Sequence, residues 1–186
     1  MAPPMQVVFR AGDAGEWSID RLDAVIGAGL AAGRRLDVVA GASADAPMPP
    51  GAAWTLRGVT SNERYVERPE RASLVAVQQP LGRPEATRAA LIPVRKSERW
   101  WELTQDERRA VIEDRSHHIA VGLEYLPAVA RRLQHCRDLG GEEFDFLTWF
   151  EFAPDSADAF EELVVRLRAT EEWTYVDREV DIRVSR

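Results

Sequence analysis

The sequence predicts an α+β protein built from two ferredoxin-like halves lying side by side. Three observations carry this reading. Residues 104–184 read as helix, strand, strand, helix, strand, and residues 6–79 follow a related but less regular order of strand, helix, strand, strand, strand. At 186 residues and 45% hydrophobic content, the chain has apolar surface for one large domain or two small fused ones. The halves are placed at residues 1–95 and 96–186. They share element order only, with no repeat at the level of residues.

Residues 6–10 are β-branched and end at Ala11-Gly12-Asp13, which predicts a strand and a turn. Ile19, Leu22, Val25, Ile26 and Leu30 follow helical spacing and predict a helix over 18–32, stopped by Gly33. A strand is expected at 36–40, then a loop at 41–51 carrying Pro47, Pro49 and Pro50. Residues 53–59 and 72–79 read as strands on the strength of Thr55, Val59, Val75 and Val77, with a connection at 62–65. Residues 80–93 read as loop and short helix. Thr104 and Glu107 have the form of a capping box, so a long helix is predicted over 105–125, ending before Pro127. Alternation over 128–136 puts Val129, Arg131, Leu133 and His135 on one face of a strand. An aromatic strand at 144–152 follows the Gly140-Gly141 turn. Asp155 and Ser156 cap a helix holding Phe160, Leu163, Val164 and Leu167, and 173–184 alternates as the last strand.

A net charge of −7 and a pI near 5.1 argue against nucleic acid as a partner, since phosphate binding needs a basic surface. The one cysteine, Cys136, makes no intramolecular disulfide and belongs to no zinc-like Cys/His run. The apolar run at 24–32 is too short to cross a bilayer, and residues 1–10 do not resemble a signal peptide, so no membrane partner is expected. The expected location is the cytoplasm, with the periplasm as the alternative.

Two of the three histidines are adjacent, in Ser116-His117-His118. Helical phase puts His118 on the side of Val111 and Gly122, next to an apolar face, and puts His117 among Glu113 and Glu124 on a charged stripe. His118 is therefore the better ligand candidate of the two, although residue type alone favours a core histidine. Gly122, one turn further on, would let a flat group approach the helix. Arg131 on the apolar face of its strand is a buried ion-pair partner, or has its stem covered at an edge, or receives an anion such as a substrate or a haem propionate. The break at Pro127 allows His118 and Arg131 to face one cavity from different elements. An aromatic face made of Phe144, Phe146, Trp149 and Phe150 would suit pairing between subunits.

The stretch 89–101, AALIPVRKSERWW, together with Arg131 and Glu171-Glu172-Trp173, resembles the chlorite dismutase family, and the likeness extends upstream through WTLRGVTSNERY at 54–65. The length is similar to the short, dimeric branch. The resemblance implies a dimeric α/β-barrel-type fold whose C-terminal half binds haem b. His118 would be the axial ligand of the iron, with Glu171 and Lys96 as its hydrogen-bonding partners. Trp100 and Trp101 would lie beside the haem, and Tyr65 would contact a propionate. Arg131 would be the mobile catalytic arginine and Gln78 the glutamine that holds it. Taken singly, each has an ordinary reading: a surface lysine, a helix-end carboxylate, core tryptophans, a solvent-facing glutamine. The implied activity is that of a haem-dependent oxidoreductase, a chlorite O2-lyase, converting chlorite to chloride and O2 with O–O bond formation in a homodimer. The alternatives are a coproheme decarboxylase-like enzyme of haem synthesis, against which Arg131 counts, and a haem-binding carrier without catalysis.

Overall fold

The computed structural model describes residues 5–41, 50–60 and 65–186. Most of the expected proline-rich loop at 41–51, and positions 62–64 of the expected connection, lie outside the described residues. The strands are β1 (Met5–Gly12), β2 (Trp17–Ile26), β3 (Arg35–Ala40), β4 (Trp54–Thr60), β5 (Arg88–Lys96), β6 (Val129–His135), β7 (Phe146–Phe152) and β8 (Val176–Ser185). They close into one antiparallel barrel in the order β1-β3-β2-β8-β5-β7-β6-β4. Expected as two halves side by side, the chain thus forms a single closed barrel. Within it, β4-β1-β3-β2 and β8-β5-β7-β6 repeat one strand order, fourth-first-third-second.

The two sets of strands meet along β2 and β8, from Ser18↔Ser185 to Ile26↔Glu179. They meet again at β4 and β6, where Val59 pairs with His135. At this second seam a Cβ on Gly58 would stand 2.5 Å from the Gln134 Cβ, so only glycine lets the strands approach. Phe9, Trp17, Leu36, Leu56, Leu91, Leu147, Trp149 and Ile182 fill the barrel.

The helix predicted over 18–32 is instead β2. Its pairing with β8 has irregularities between Ile19 and Arg21 and between Ala24 and Ile26, and each extra residue shifts the alternation by one. A strand spaced at 19 and 22 then imitates helical periodicity. The opposite error falls on 72–79, which belongs mainly to helix α1 (Arg68–Val77). A capping box between Glu67 and Glu70, with proline in the first turn, starts this helix, while Val75 and Val77 point outward and their β-propensity goes unused. Residues 88–96, assigned mostly to a loop and cut by a boundary at 95, are the strand β5 in the second set. Pro93 hid it: the pairing with β8 skips Ile92 and Pro93 while keeping register on either side.

Helices cover the outer face of the second set. These are α2 (Glu98–Glu102), α3 (Gln105–Arg109), α4 (His118–Glu124) and α5 (Ala157–Arg168). The α5 residues Phe160, Leu163, Val164 and Leu167 recur with helical spacing and pack on Ala90, Ile92, Phe150 and Phe152, with the Phe152 and Phe160 rings stacked at 4.5 Å. The expected helix over 105–125 is broken into α3, a π-helical turn (Ala110–Arg115) and α4, with His117 in the left-handed region between them. Phe144, Trp149 and Phe150 do not form a free aromatic face. All three are buried inside the chain: Phe144, just before β7, and Trp149 lie in the barrel core, and Phe150, on the other face of β7, lies under the helices. Among the described residues no helix is long and apolar enough to cross a membrane.

Candidate active site

α4 begins at His118 and lies against the second set of strands, while His117 is exposed. The His118 Nδ1 lies 2.6 Å from Oε2 of Glu172, whose Oε1 accepts a hydrogen bond from Lys96 Nζ at 2.8 Å. The carboxylate is buried, as is Lys96 at the end of β5, where the ammonium also lies 4.6 Å from the Trp100 ring centroid and 5.6 Å from that of Trp173. Burial pushes the Glu172 carboxyl up, but the charges of Lys96 and His118 outweigh it and hold the group well below the usual carboxylate range. The Glu172 N–H donates to the buried Ser116 hydroxyl at 2.9 Å.

The carboxylate beside the histidine is therefore Glu172, one residue past the expected Glu171. The short 3-10 turn Glu171–Tyr175 turns Glu171 outward to Arg115, 3.1 Å away, and Glu172 inward. Adjacent identical residues differ only in which way the turn points them, and nothing in the composition of the segment indicates that direction. Ser116 stood in the histidine motif but carried no signal for its contact with a residue on another element.

The Arg131 side chain comes from β6 to the same face of α4. A Cβ on Gly122 would stand 2.8 Å from the Arg131 Nη1 and 3.2 Å from its Cζ. Because Gly122 follows His118 by one turn, that Cβ would project to the side that His118 occupies. The flat group expected against Gly122 is thus a guanidinium. Gln78, at the C-terminal end of α1, donates from Nε2 to the Arg131 backbone carbonyl at 2.7 Å. Its expected contact with the arginine is made to the main chain.

Tyr65, Trp100 and Trp101 gather at one end of α2. Tyr65 has a positive φ of 64°, sets its ring edge-on to Trp100 at 6.1 Å and accepts hydrogen bonds from Arg108 and Arg109. Trp101 stacks on Phe146 and carries the Arg137 guanidinium 3.9 Å from its ring centroid. Among the described residues, both indole N–H groups and the Ser97 hydroxyl are buried without a hydrogen-bond partner. Three unpaired donors within one turn suit an acceptor-rich group such as a carboxylate.

A model of the family described as "Chlorite dismutase" matches residues 51–186. A dimeric chlorite dismutase structure from Nitrobacter winogradskyi is 60% identical, with a TM-score of 0.90 over 97% of this chain and 99% of that one. A mutant chlorite dismutase from Candidatus Nitrospira defluvii, 18% identical with a TM-score of 0.70 over 100% of this chain and 93% of that one, shares the fold. The chlorite dismutase of Ideonella dechloratans is 33% identical over 87 residues, a stretch covering 47% of this chain and 28% of that protein. From the model matching most of its length and the close structural likeness, the chain belongs to the chlorite dismutase family.

Proposed function

We propose that the protein is a haem b enzyme that converts chlorite to chloride and O2, in which His118 would hold the iron and Arg131 would hold the anion. The observation that carries this is the buried Lys96–Glu172–His118 chain beneath the face of α4 that receives the Arg131 guanidinium. With Nδ1 engaged by Glu172, His118 keeps Nε2 for a metal, and among the described residues no group of three or more His, Cys, Asp or Glu is placed to hold one. A tetrapyrrole supplies the remaining ligands itself. Its carboxylates suit the unpaired donors of Trp100 and Trp101, with Tyr65 packed beside them. Haem b, the coproheme decarboxylase reading and the carrier reading all share these features, and the placement of Arg131 favours the first.

The haem iron supplies an acceptor and donor of oxygen atoms. The protein's part is to tune and to contain. Glu172, kept ionised by Lys96, accepts a hydrogen bond from Nδ1–H and would give the imidazole partial imidazolate character, raising its electron donation. Arg131, charged at all working pH values, binds the chlorite anion and retains the hypochlorite fragment until its oxygen joins the first. The balance is one chlorite to one chloride and one O2, with no outside reductant. Gln78 steadies the Arg131 backbone.

Two further readings complete the proposal. The two sets of strands with one shared order are two ferredoxin-like halves fused into one barrel, of which the C-terminal half carries the haem. The protein acts as a homodimer, as the dimeric Nitrobacter structure suggests. The test is oxygen evolution on adding chlorite to the haem-loaded protein, run beside coproheme plus peroxide followed by mass spectrometry. Oxygen from chlorite with intact propionates supports the dismutase, and propionate loss without oxygen supports the decarboxylase.

A further inference from the structure

His118 and Glu172 lie on separate elements, 54 residues apart, yet their 2.6 Å contact sets the basicity of the imidazole. Their relative placement depends on an irregular stretch of helix. The π-helical turn (Ala110–Arg115) is wider than an α-turn, and His117 then takes a left-handed conformation, φ 51° and ψ 34°, and offers no side-chain cap to α4. The cap comes from Glu113, which the wide turn brings beneath the start of α4. Its carboxylate accepts the N–H groups of Ile119 at 2.7 Å and Ala120 at 3.3 Å.

Ser116 acts from the other side. Its buried hydroxyl accepts the Glu172 N–H, so the residue two before the histidine holds the backbone of the carboxylate that the histidine itself touches. This closes a ring: Ser116 backbone, His118 imidazole, Glu172 carboxylate, Glu172 N–H, Ser116 hydroxyl. A shift of α4 or of the Glu171–Tyr175 turn must break one of its hydrogen bonds.

We propose that Ser116 and Glu113 are positioning residues that fix the His118–Glu172 geometry from two directions, and through it the electron donation of the imidazole to iron. This rests on the reading of His118 as the haem ligand. Ser116→Ala leaves a buried N–H unpaired and frees the Glu172 turn; Glu113→Ala uncaps α4; Glu113→Gln keeps one acceptor and acts as the milder, well-folded control.

The test has one readout without haem and one with it. In the haem-free full-length chain, the proton NMR resonance of the His118 Nδ1–H···Glu172 bond is expected to move upfield in Ser116→Ala and Glu113→Ala, and less in Glu113→Gln. In the haem-loaded ferrous protein the iron–histidine stretching frequency is expected to fall in the same order, with an upward shift of the ferric/ferrous midpoint potential. Resonance and frequency both unchanged in Ser116→Ala and Glu113→Ala would overturn the proposal. If the parent protein takes up no haem, it is the assignment of the site that fails, and the proton resonance alone then decides for or against positioning.

Discussion

The His118 side and the Arg131 side of the site are built in opposite ways. On the first, two buried charges and a histidine hold one another through side chains, Lys96 to Glu172 to His118, with the Glu172 backbone tied to Ser116. On the second, Gln78 donates to the Arg131 main chain, and the guanidinium lies against a glycine. Burying an ion pair costs several kcal/mol in desolvation, so such a pair is weak as a stabilising device and strong as a fixed electrostatic setting. The difference teaches a division of labour that fits the proposed roles: the His118 side is set by fixed buried charges, and the Arg131 side presents a cation against the small Gly122.

The comparison breaks most completely with His118→Ala. On the proposed reading, the variant lacks the residue that would hold the haem iron, and chlorite turnover by the haem-loaded protein is expected to fall to background in an oxygen electrode. Next in size is Lys96→Met, which leaves Glu172 buried without its main counter-charge. Removing one partner of such a pair costs about 3 kcal/mol or more, read as a lower denaturation midpoint.

The same carboxylate sets the acid response. Its folded pKa is depressed below the ordinary 4.5, so its contribution to stability is fully present above that value and drains away as pH falls beneath it. Glu172→Gln removes that term, and denaturant titrations from neutral pH down to about pH 3 show a shallower acid loss than in the parent protein. An equal slope would mean the carboxylate is not ionised in the folded state.

On the anion side the effects separate from stability. Gly122→Ala places a Cβ within 2.8 Å of the Arg131 Nη1, the far end of a flexible side chain, which moves. Folding gains up to about 1 kcal/mol of helix propensity while oxygen yield per chlorite falls, measured by melting temperature and oxygen electrode on one sample. Gln78→Ala is the smallest: losing one hydrogen bond to a backbone carbonyl costs about 1 kcal/mol, a few-fold in rate at most.

What the sequence made legible follows from where periodicity is undisturbed. α5 and β6 read directly, because Phe160, Leu163, Val164 and Leu167, and the alternation from Val129 to Leu133, are regular. Helical phase also selected His118 over His117 although the assumed helix is broken at Ser116, because the relation of His118 to Gly122 lies wholly inside α4. β2 and β5 misled because bulges and a proline alter local pattern without altering pairing. Glu172 was missed by one residue because the direction of a single 3-10 turn leaves no mark in composition.

The central proposal is that Arg131 keeps both oxygen atoms of one chlorite together beside His118. A mixture of fully 18O-labelled and unlabelled chlorite, with the evolved O2 analysed by mass spectrometry, tests it most directly. The account predicts O2 of mass 32 and mass 36 from the parent protein with almost none at mass 34, and a growing mass-34 share from Arg131→Ala as fragments escape and recombine. Statistical scrambling by the parent protein, or the same mass-34 share in both proteins, would contradict it.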